Sequence, residues 1–133
     1  MFVVTADVDV YAGTLAIAVK GLAAYENSGN IIALAKPGTG TIGTVISVLR
    51  EYTNVHHIRS YDAHTWKRDE LITLFNEGGI FVFDEFFIFR EDVQELIRER
   101  AASGRAKIII TGFSLPPGDY SGFRQIVQLR DPA

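Results

Sequence analysis

The segment Ile31-Ile32-Ala33-Leu34-Ala35-Lys36-Pro37-Gly38-Thr39-Gly40-Thr41-Ile42 decides how the rest of the chain is read. Its first five residues form an uninterrupted apolar run, the pattern of a strand buried on both faces of a sheet. Lys36 to Thr41 is a glycine-rich turn, and Val45, Val48 and Leu49 then recur at helical spacing toward about Tyr52. Strand, glycine turn and helix in that order bring backbone amides to a helix N-terminus, where they attract phosphate oxygens.

Two further apolar runs repeat the strand pattern: Ile80-Phe81-Val82-Phe83, ending on Asp84-Glu85, and Ala106 to Ile110, ending on Thr111-Gly112. Val55 to Ile58 reads as a weaker strand and Gln125 to Leu129 as the last one. Helical patterns lie between them. One starts at a cap on Asp7 or Asp9 and runs to about Tyr25 through Leu15, Val19 and Leu22, closed by Asn27-Ser28-Gly29-Asn30. Another passes through Trp66, Glu70, Leu74 and Phe75 and stops at Gly78-Gly79. A third carries Val93, Leu96, Ile97 and Arg100, with Gly104 as its C-terminal stop. Pro116-Pro117-Gly118 makes a loop. This alternation predicts an α/β fold, a three-layer αβα sandwich around a five-stranded, mainly parallel sheet. With no repeat, low-complexity tract or linker, residues 1–133 read as one domain.

Composition narrows the function. Hydrophobic residues make up 47% and charged residues 22% of the 133, as in soluble globular proteins. A chain of this length buries roughly two thirds of its unfolded surface, enough for a core without metal or disulfides. Thirteen basic against sixteen acidic residues leave a net charge of −3, which argues against a surface that is nucleic-acid footprint throughout. DNA then enters only through a local patch. The absence of cysteine excludes disulfide scaffolds, thiolate metal sites and cysteine nucleophiles. The longest apolar stretch, Val10 to Tyr25, contains Lys20 and is too short for a bilayer, so no membrane partner is expected. Asp7 and Asp9 stand where a secretory signal would be basic, so the expected location is cytoplasmic.

In an open parallel sheet, ligands bind outside the carboxyl ends of the strands. The glycine loop and Asp84-Glu85 therefore fall on the same edge. A carboxylate at a strand tip can hold Mg²⁺ against phosphates, and a second one beside it can orient a water.

With these residues in place, the chain resembles the nucleotide-binding subdomain of AAA+ ATPases over nearly its whole length. Ala35-Lys36-Pro37-Gly38-Thr39-Gly40-Thr41-Ile42 resembles the phosphate loop, and Gly79 to Glu85 the Walker B strand. Lys107 to Gly112 resembles the strand that delivers sensor 1. Gly122-Phe123-Arg124-Gln125-Ile126-Val127, followed by Asp131-Pro132, resembles the entry to the last core strand. The resemblance implies ATP or ADP bound by Lys36, Pro37, Gly38, Thr39, Gly40, Thr41, Ile42 and Thr111. It further implies Mg²⁺ on Asp84, and catalytic roles for Glu85 and, near a subunit interface, Arg124.

The chain departs from that family at several positions. The family loop ends in Gly-Lys-[Ser/Thr], whereas Gly40 is followed here by Thr41 and Ile42. Thr41 takes the place of the phosphate-contacting lysine, and Ile42 that of the metal-ligating hydroxyl. Ala35 replaces the first glycine. Reading the loop from Gly38 to Gly43 puts Thr44 and Val45 at those positions and restores neither. Sensor 1 is Thr111-Gly112 where the family often has Thr-Asn, and the chain stops at Ala133, before the family's helical lid. Loss of one preorganised electrostatic partner typically costs about a hundred- to a thousandfold in rate. Efficient ATP hydrolysis is therefore not expected.

Several residues carry two readings. Lys36 is either a substitute cation or an exposed loop lysine, and Arg124 an interface arginine or an ordinary strand-start charge. Arg98, Arg100 and Arg105 fit a solvated helix end. His56, His57 and His64 lack the pattern of a metal site. Phe86, Phe87 and Phe89 exceed what one core face needs; they either pack under the next helix or form an exposed apolar patch for a partner, and partial exposure is expected. Trp66 reads as core or edge.

The resulting expectation is a degenerate AAA+-like domain with weak or lost nucleotide binding, acting through a protein partner, a second copy of itself, or DNA. Small stand-alone versions of this family are carried by viruses and mobile elements, which implies replication, transposition or complex remodelling, in the host cytoplasm if viral. The alternatives are an active Mg²⁺-dependent ATPase with an atypical loop and a purely structural module.

Overall fold

A computed structural model describes residues 1–25 and 29–130. Asn27 and Ser28 of the expected helix stop, and Asp131-Pro132 of the family pattern, lie outside the described residues.

Among the described residues, six strands form one all-parallel sheet: β1 (Phe2–Ala6), β2 (Asn30–Leu34), β3 (Val55–Ile58), β4 (Ile80–Phe83), β5 (Lys107–Gly112) and β6 (Phe123–Leu129), in the order β1-β6-β2-β5-β4-β3. The expected α/β class and helix-flanked parallel sheet are found, but the sheet has six strands, not five. The added strand is β1, which pairs with β6 at an edge. Only Ala6 among its residues is buried, so its sequence carries no burial pattern to mark it.

Helices α1 (Val8–Ala24) and α2 (Thr41–Leu49) cover one face, and α3 (Arg68–Asn76) and α4 (Glu91–Ser103) the other. The strands explain this by their alternation. Ile31 and Ala33 of β2, Ile80 and Val82 of β4, and Ile109 of β5 pack with Tyr11, Leu15 and Val19 of α1 and Val45 and Leu49 of α2. Ile32, Phe81, Phe83, Ile108 and Ile110 point the other way, toward Leu71 and Phe75 of α3 and Val93 and Ile97 of α4. A strand that is apolar at every position has a helix layer on each side, as the continuous runs required.

Local differences have local causes. Asp7 precedes α1 at its N-cap, but its carboxylate pairs with Arg130 (Oδ1–Nε 2.8 Å) instead of capping the helix. The expected helix around Trp66 is split: a 3₁₀ segment spans Ser60–Thr65, Trp66 follows it, and α3 starts at Arg68. The last strand starts at Phe123, two residues early, and α2 ends at Leu49. Phe86 and Phe89 are buried in the α3/α4 core, which corrects the expected aromatic patch; Phe87 is half-buried and Ile88 is the exposed one. The reason is Gln94, whose buried Nε2 donates to the carbonyls of Phe86 (3.4 Å), Phe87 (3.3 Å) and Phe89 (2.8 Å) and so curls this turn inward. His56 stacks on Phe81 with ring centroids 4.8 Å apart.

At the foot of the sheet, buried Asn30 joins three elements. Its Oδ1 accepts from Ile108 N–H (2.7 Å), and its Nδ2 donates to the carbonyls of Gly122 (3.1 Å) and Ala101 (3.4 Å). Gly122 must be glycine, because a Cβ there would stand 2.2 Å from the Ala102 nitrogen.

Candidate functional site

The connections locate a crevice. From β2 the chain passes through α2, over the α1/α2 face, to β3 at the far edge. From β5 it returns across the opposite face, through Leu115 and Tyr120, to β6. Adjacent strands β2 and β5 thus send their carboxyl ends to opposite sides, which opens a cleft between them at the switch point. That cleft measures about 240 Å³ and is lined by Ala35 to Ile42, Asp84, Glu85 and Thr111 to Phe113.

The loop enters the cleft from β2, and Ala35 N–H still bonds to the Gly112 carbonyl (2.9 Å), which ties it to the tip of β5. Gly38 (φ 83°) and Gly40 (φ 82°) take left-handed conformations, and neither has a heavy atom near the position of a Cβ. Both therefore leave the turn open to a ligand. Gly40 is the N-cap of α2, so the unsatisfied first-turn amides and the positive end of the helix dipole lie at the cleft. The hydroxyls of this loop are engaged elsewhere. Thr39 Oγ1 donates to Lys36 O (2.6 Å), and Thr44 Oγ1 to Gly40 O (3.0 Å). Thr41 Oγ1 shares a 3.2 Å hydrogen bond with Tyr11 Oη of α1. Tyr11 is buried, and burial raises its phenol above the ordinary value while the Thr41 bond works against that shift. Thr41 therefore ties the loop to α1. Ile42 packs partly against the α1/α2 core.

Asp84 and Glu85 follow β4, and Asp84 N–H donates to Ile58 O (3.1 Å). Thr111, 4% exposed, joins the two acids: its Oγ1 donates to Asp84 Oδ1 (3.2 Å) and accepts from Glu85 N–H (3.2 Å). Glu85 sits at φ 49°, ψ 61°, a left-handed conformation uncommon for a residue with a side chain. Such outliers collect at functional sites. On the far side of Asp84, half-buried His57 has an Nε2 with no hydrogen-bond partner among the described residues. Burial lowers its imidazole from the ordinary 6.5, the Asp84 charge opposes that shift, and Arg59 reinforces it.

The fold thus brings together Lys36, Pro37, Gly38, Thr39, Gly40, Thr41, Ile42, Asp84, Glu85 and Thr111. It does not bring Arg124 to them. Arg124 follows Phe123, which pairs with Asn30, whereas the loop follows Leu34, opposite Gln128. Four residues of extended chain, about 13 Å, separate the two ends. Arg124 instead lies over Gly29, whose missing Cβ leaves it room.

Sequence reasoning missed Tyr11, thirty positions from Thr41, since only packing joins them. It also missed Phe113, 54% exposed, which packs edge-on to Phe87 (4.5 Å) and separates the cleft from a neighbouring one of about 400 Å³ between β2 and β6.

The residues present fit a phosphate better than a resident metal. Open amides at a helix N-terminus suit an anion. Asp84 offers one carboxylate, and among the described residues no group of three or more His, Asp or Glu side chains can hold a metal. Mg²⁺ characteristically binds through one or two carboxylates plus substrate phosphates, so Asp84 would hold it only together with a phosphate ligand. Among the described residues no helix is long and apolar enough to cross a membrane. No protein-family model matches the chain, and no curated protein is similar to it.

Proposed function

We propose that this chain is a degenerate AAA+-like domain whose cleft binds a nucleotide or inorganic phosphate weakly, and which acts through macromolecular partners. The observation that carries this reading is the convergence of glycine-loop amides, Asp84, Glu85 and Thr111 on one crevice at the switch point of a parallel sheet. The partner is a protein, a second copy of the chain, or DNA, in the replication, transposition or remodelling settings that the resemblance implies.

Charge sets the affinity. One lysine, Lys36, faces two carboxylates, Asp84 and Glu85, so the cleft carries a formal charge of −1. A polyphosphate is repelled by that balance unless a divalent cation accompanies it. The place of the missing lysine is taken by Thr41, whose hydroxyl is already bonded to Tyr11. A lost charge-assisted hydrogen bond costs about 1.5–3 kcal/mol, roughly ten- to a hundredfold in affinity.

Calorimetric titration with ATP and ADP, with and without Mg²⁺, is the direct test. Weak binding that needs Mg²⁺, and that disappears in Gly40→Asp and Asp84→Ala, is the expected result. No heat at millimolar nucleotide would refute nucleotide binding and leave the interaction module as the reading of the fold.

The strained backbone of Glu85 favours a second reading, slow hydrolysis. There the loop amides hold the phosphates, and the Glu85 carboxylate orients a water and takes its proton as it attacks. Bound Mg²⁺ would supply charge neutralisation from Asp84. Phosphate release above background that is lost in Glu85→Gln, with nucleotide binding kept, would establish it.

A further inference from the structure

We propose that strand β1 is a self-pairing edge through which two copies of this chain join their sheets antiparallel, with the two-fold axis at Val4. The proposal does not depend on the state of the cleft, which lies at another place in the sheet.

The backbone supplies the first argument. Arg130 N–H donates to Ala6 O (2.7 Å), so Ala6 faces β6. Carbonyl and amide of one strand residue point the same way, and successive residues alternate. Val4 and Phe2 therefore also bond toward β6, while the N–H and C=O of Val3 and Thr5 point out from the sheet edge. An antiparallel pair centred on Val4 sets Val3 opposite Thr5 of a second copy, and the reverse. Each such pair exchanges both hydrogen bonds, and Val4 meets its own counterpart in the close, non-hydrogen-bonded position. The open groups of this edge are thus complementary to themselves.

Side chains supply the second. Natural edge strands are protected by charge, proline or bulges. Phe2-Val3-Val4-Thr5-Ala6 has no charge and no proline, and its pairing with β6 runs without a register shift. Phe2 is 66% exposed, Val3 58% and Val4 36%. No like charges oppose one another across the axis. A charged nucleic acid or an acidic peptide finds no ionic partner in these five residues, and a second uncharged copy needs none.

The flanking helix supplies the third. α1 packs against β1, β6 and β2, on the face to which Ala6 and, by alternation, Val4 and Phe2 point. Its buried side is Tyr11, Leu15, Val19 and Leu22, yet Val10 and Ile17 are also apolar and are 52% and 74% exposed. Ile17 lines a groove of about 330 Å³ that reaches Gln125, the residue paired with Phe2. Val10 and Ile17, seven residues apart, share one face of α1 and leave apolar surface uncovered there. A two-fold axis normal to the sheet sets α1 of each copy on the same face beside the joint, which extends contact beyond the strand toward the about 800 Å² per partner of a stable interface.

Sedimentation velocity of the full chain over a concentration series tests this. The expected species is a dimer of twice the 14.7 kDa chain mass. Val4→Lys and Val4→Glu each place like charges face to face at the axis and should raise the dimer dissociation constant about 100-fold. Mixing the two variants should restore a dimer, because the axis then pairs opposite charges. Thr5→Pro removes an outward N–H and leaves the backbone bonds to β6, losing only the side-chain bond from Gln128 Nε2 (2.9 Å), and should also dissociate the dimer even where a Val4 variant folds poorly. A wild-type chain that stays monomeric to millimolar concentration overturns the proposal. So does a dimer indifferent to Val4→Lys and Thr5→Pro, or folded Val4 variants that do not pair when mixed.

Discussion

Asn30, Glu85 and His57 each show what one side chain does to the whole. Asn30 satisfies three buried backbone groups from its place at the foot of β2. Asn30→Ala removes the acceptor of Ile108 N–H and a donor to the Gly122 and Ala101 carbonyls, the last of which keeps Gly104 N–H, and urea denaturation should show a loss of about 2–3 kcal/mol. Glu85 holds a left-handed backbone that glycine adopts freely. Glu85→Gly should raise stability by about 1 kcal/mol while removing whatever the carboxylate contributes at the cleft, so thermal melting and nucleotide assays should move in opposite directions. His57 controls a pH dependence. Burial holds its folded-state imidazole below 6.5. As pH falls through that value the unfolded chain takes up a proton that the folded chain refuses. Stability from this group is therefore complete above about pH 6.5 and declines below it, until the folded protein is protonated as well. His57→Gln should flatten the stability profile between neutral pH and pH 5 in denaturant titrations.

At the scale of elements, the turn after β4 matters most. Its carbonyls at Phe86, Phe87 and Phe89 converge on one amide, Gln94 of α4, and this holds Phe86 and Phe89 in the core directly behind Asp84-Glu85. Gln94→Ala should cost about 1–3 kcal/mol and loosen the pair of acids. Faster amide exchange at residues 84–89 than in the sheet would show it. Helix α2 plays the matching role for the loop. Its N-terminus faces the cleft, while Val45 and Leu49 anchor it to the core.

For the whole molecule, stability lies in two aromatic and aliphatic layers on either side of one sheet. Phe81 meets Phe75 (centroids 4.7 Å) and His56, and is fully buried. Phe81→Ala should cost about 3–5 kcal/mol, a large share of the 5–15 kcal/mol that holds a domain together. Urea unfolding followed by Trp66 fluorescence measures it. The cleft lies at the carboxyl ends of β2, β4 and β5, and the self-pairing edge at β1, two strands from β2. The cleft and the β1 edge share no residue.

The sequence by itself determined the continuous apolar runs of β2, β4 and β5, the helices between them and the glycine loop beside a strand tip with two acids. Each is a local pattern: a strand buried on both faces must be apolar at every position, and a left-handed turn favours glycine. The tertiary structure alone decided the rest. β1 is an edge strand, and an edge leaves no burial pattern in its residues. Phe86 and Phe89 are core because Gln94, several residues later, turns them in. Thr41 is bonded to Tyr11 and Thr111 to Asp84 because chain segments far apart meet only after the sheet has formed. Arg124 stands at the foot of β6 and the loop at the head of β2, because strand direction and register, which no local pattern records, set which ends coincide.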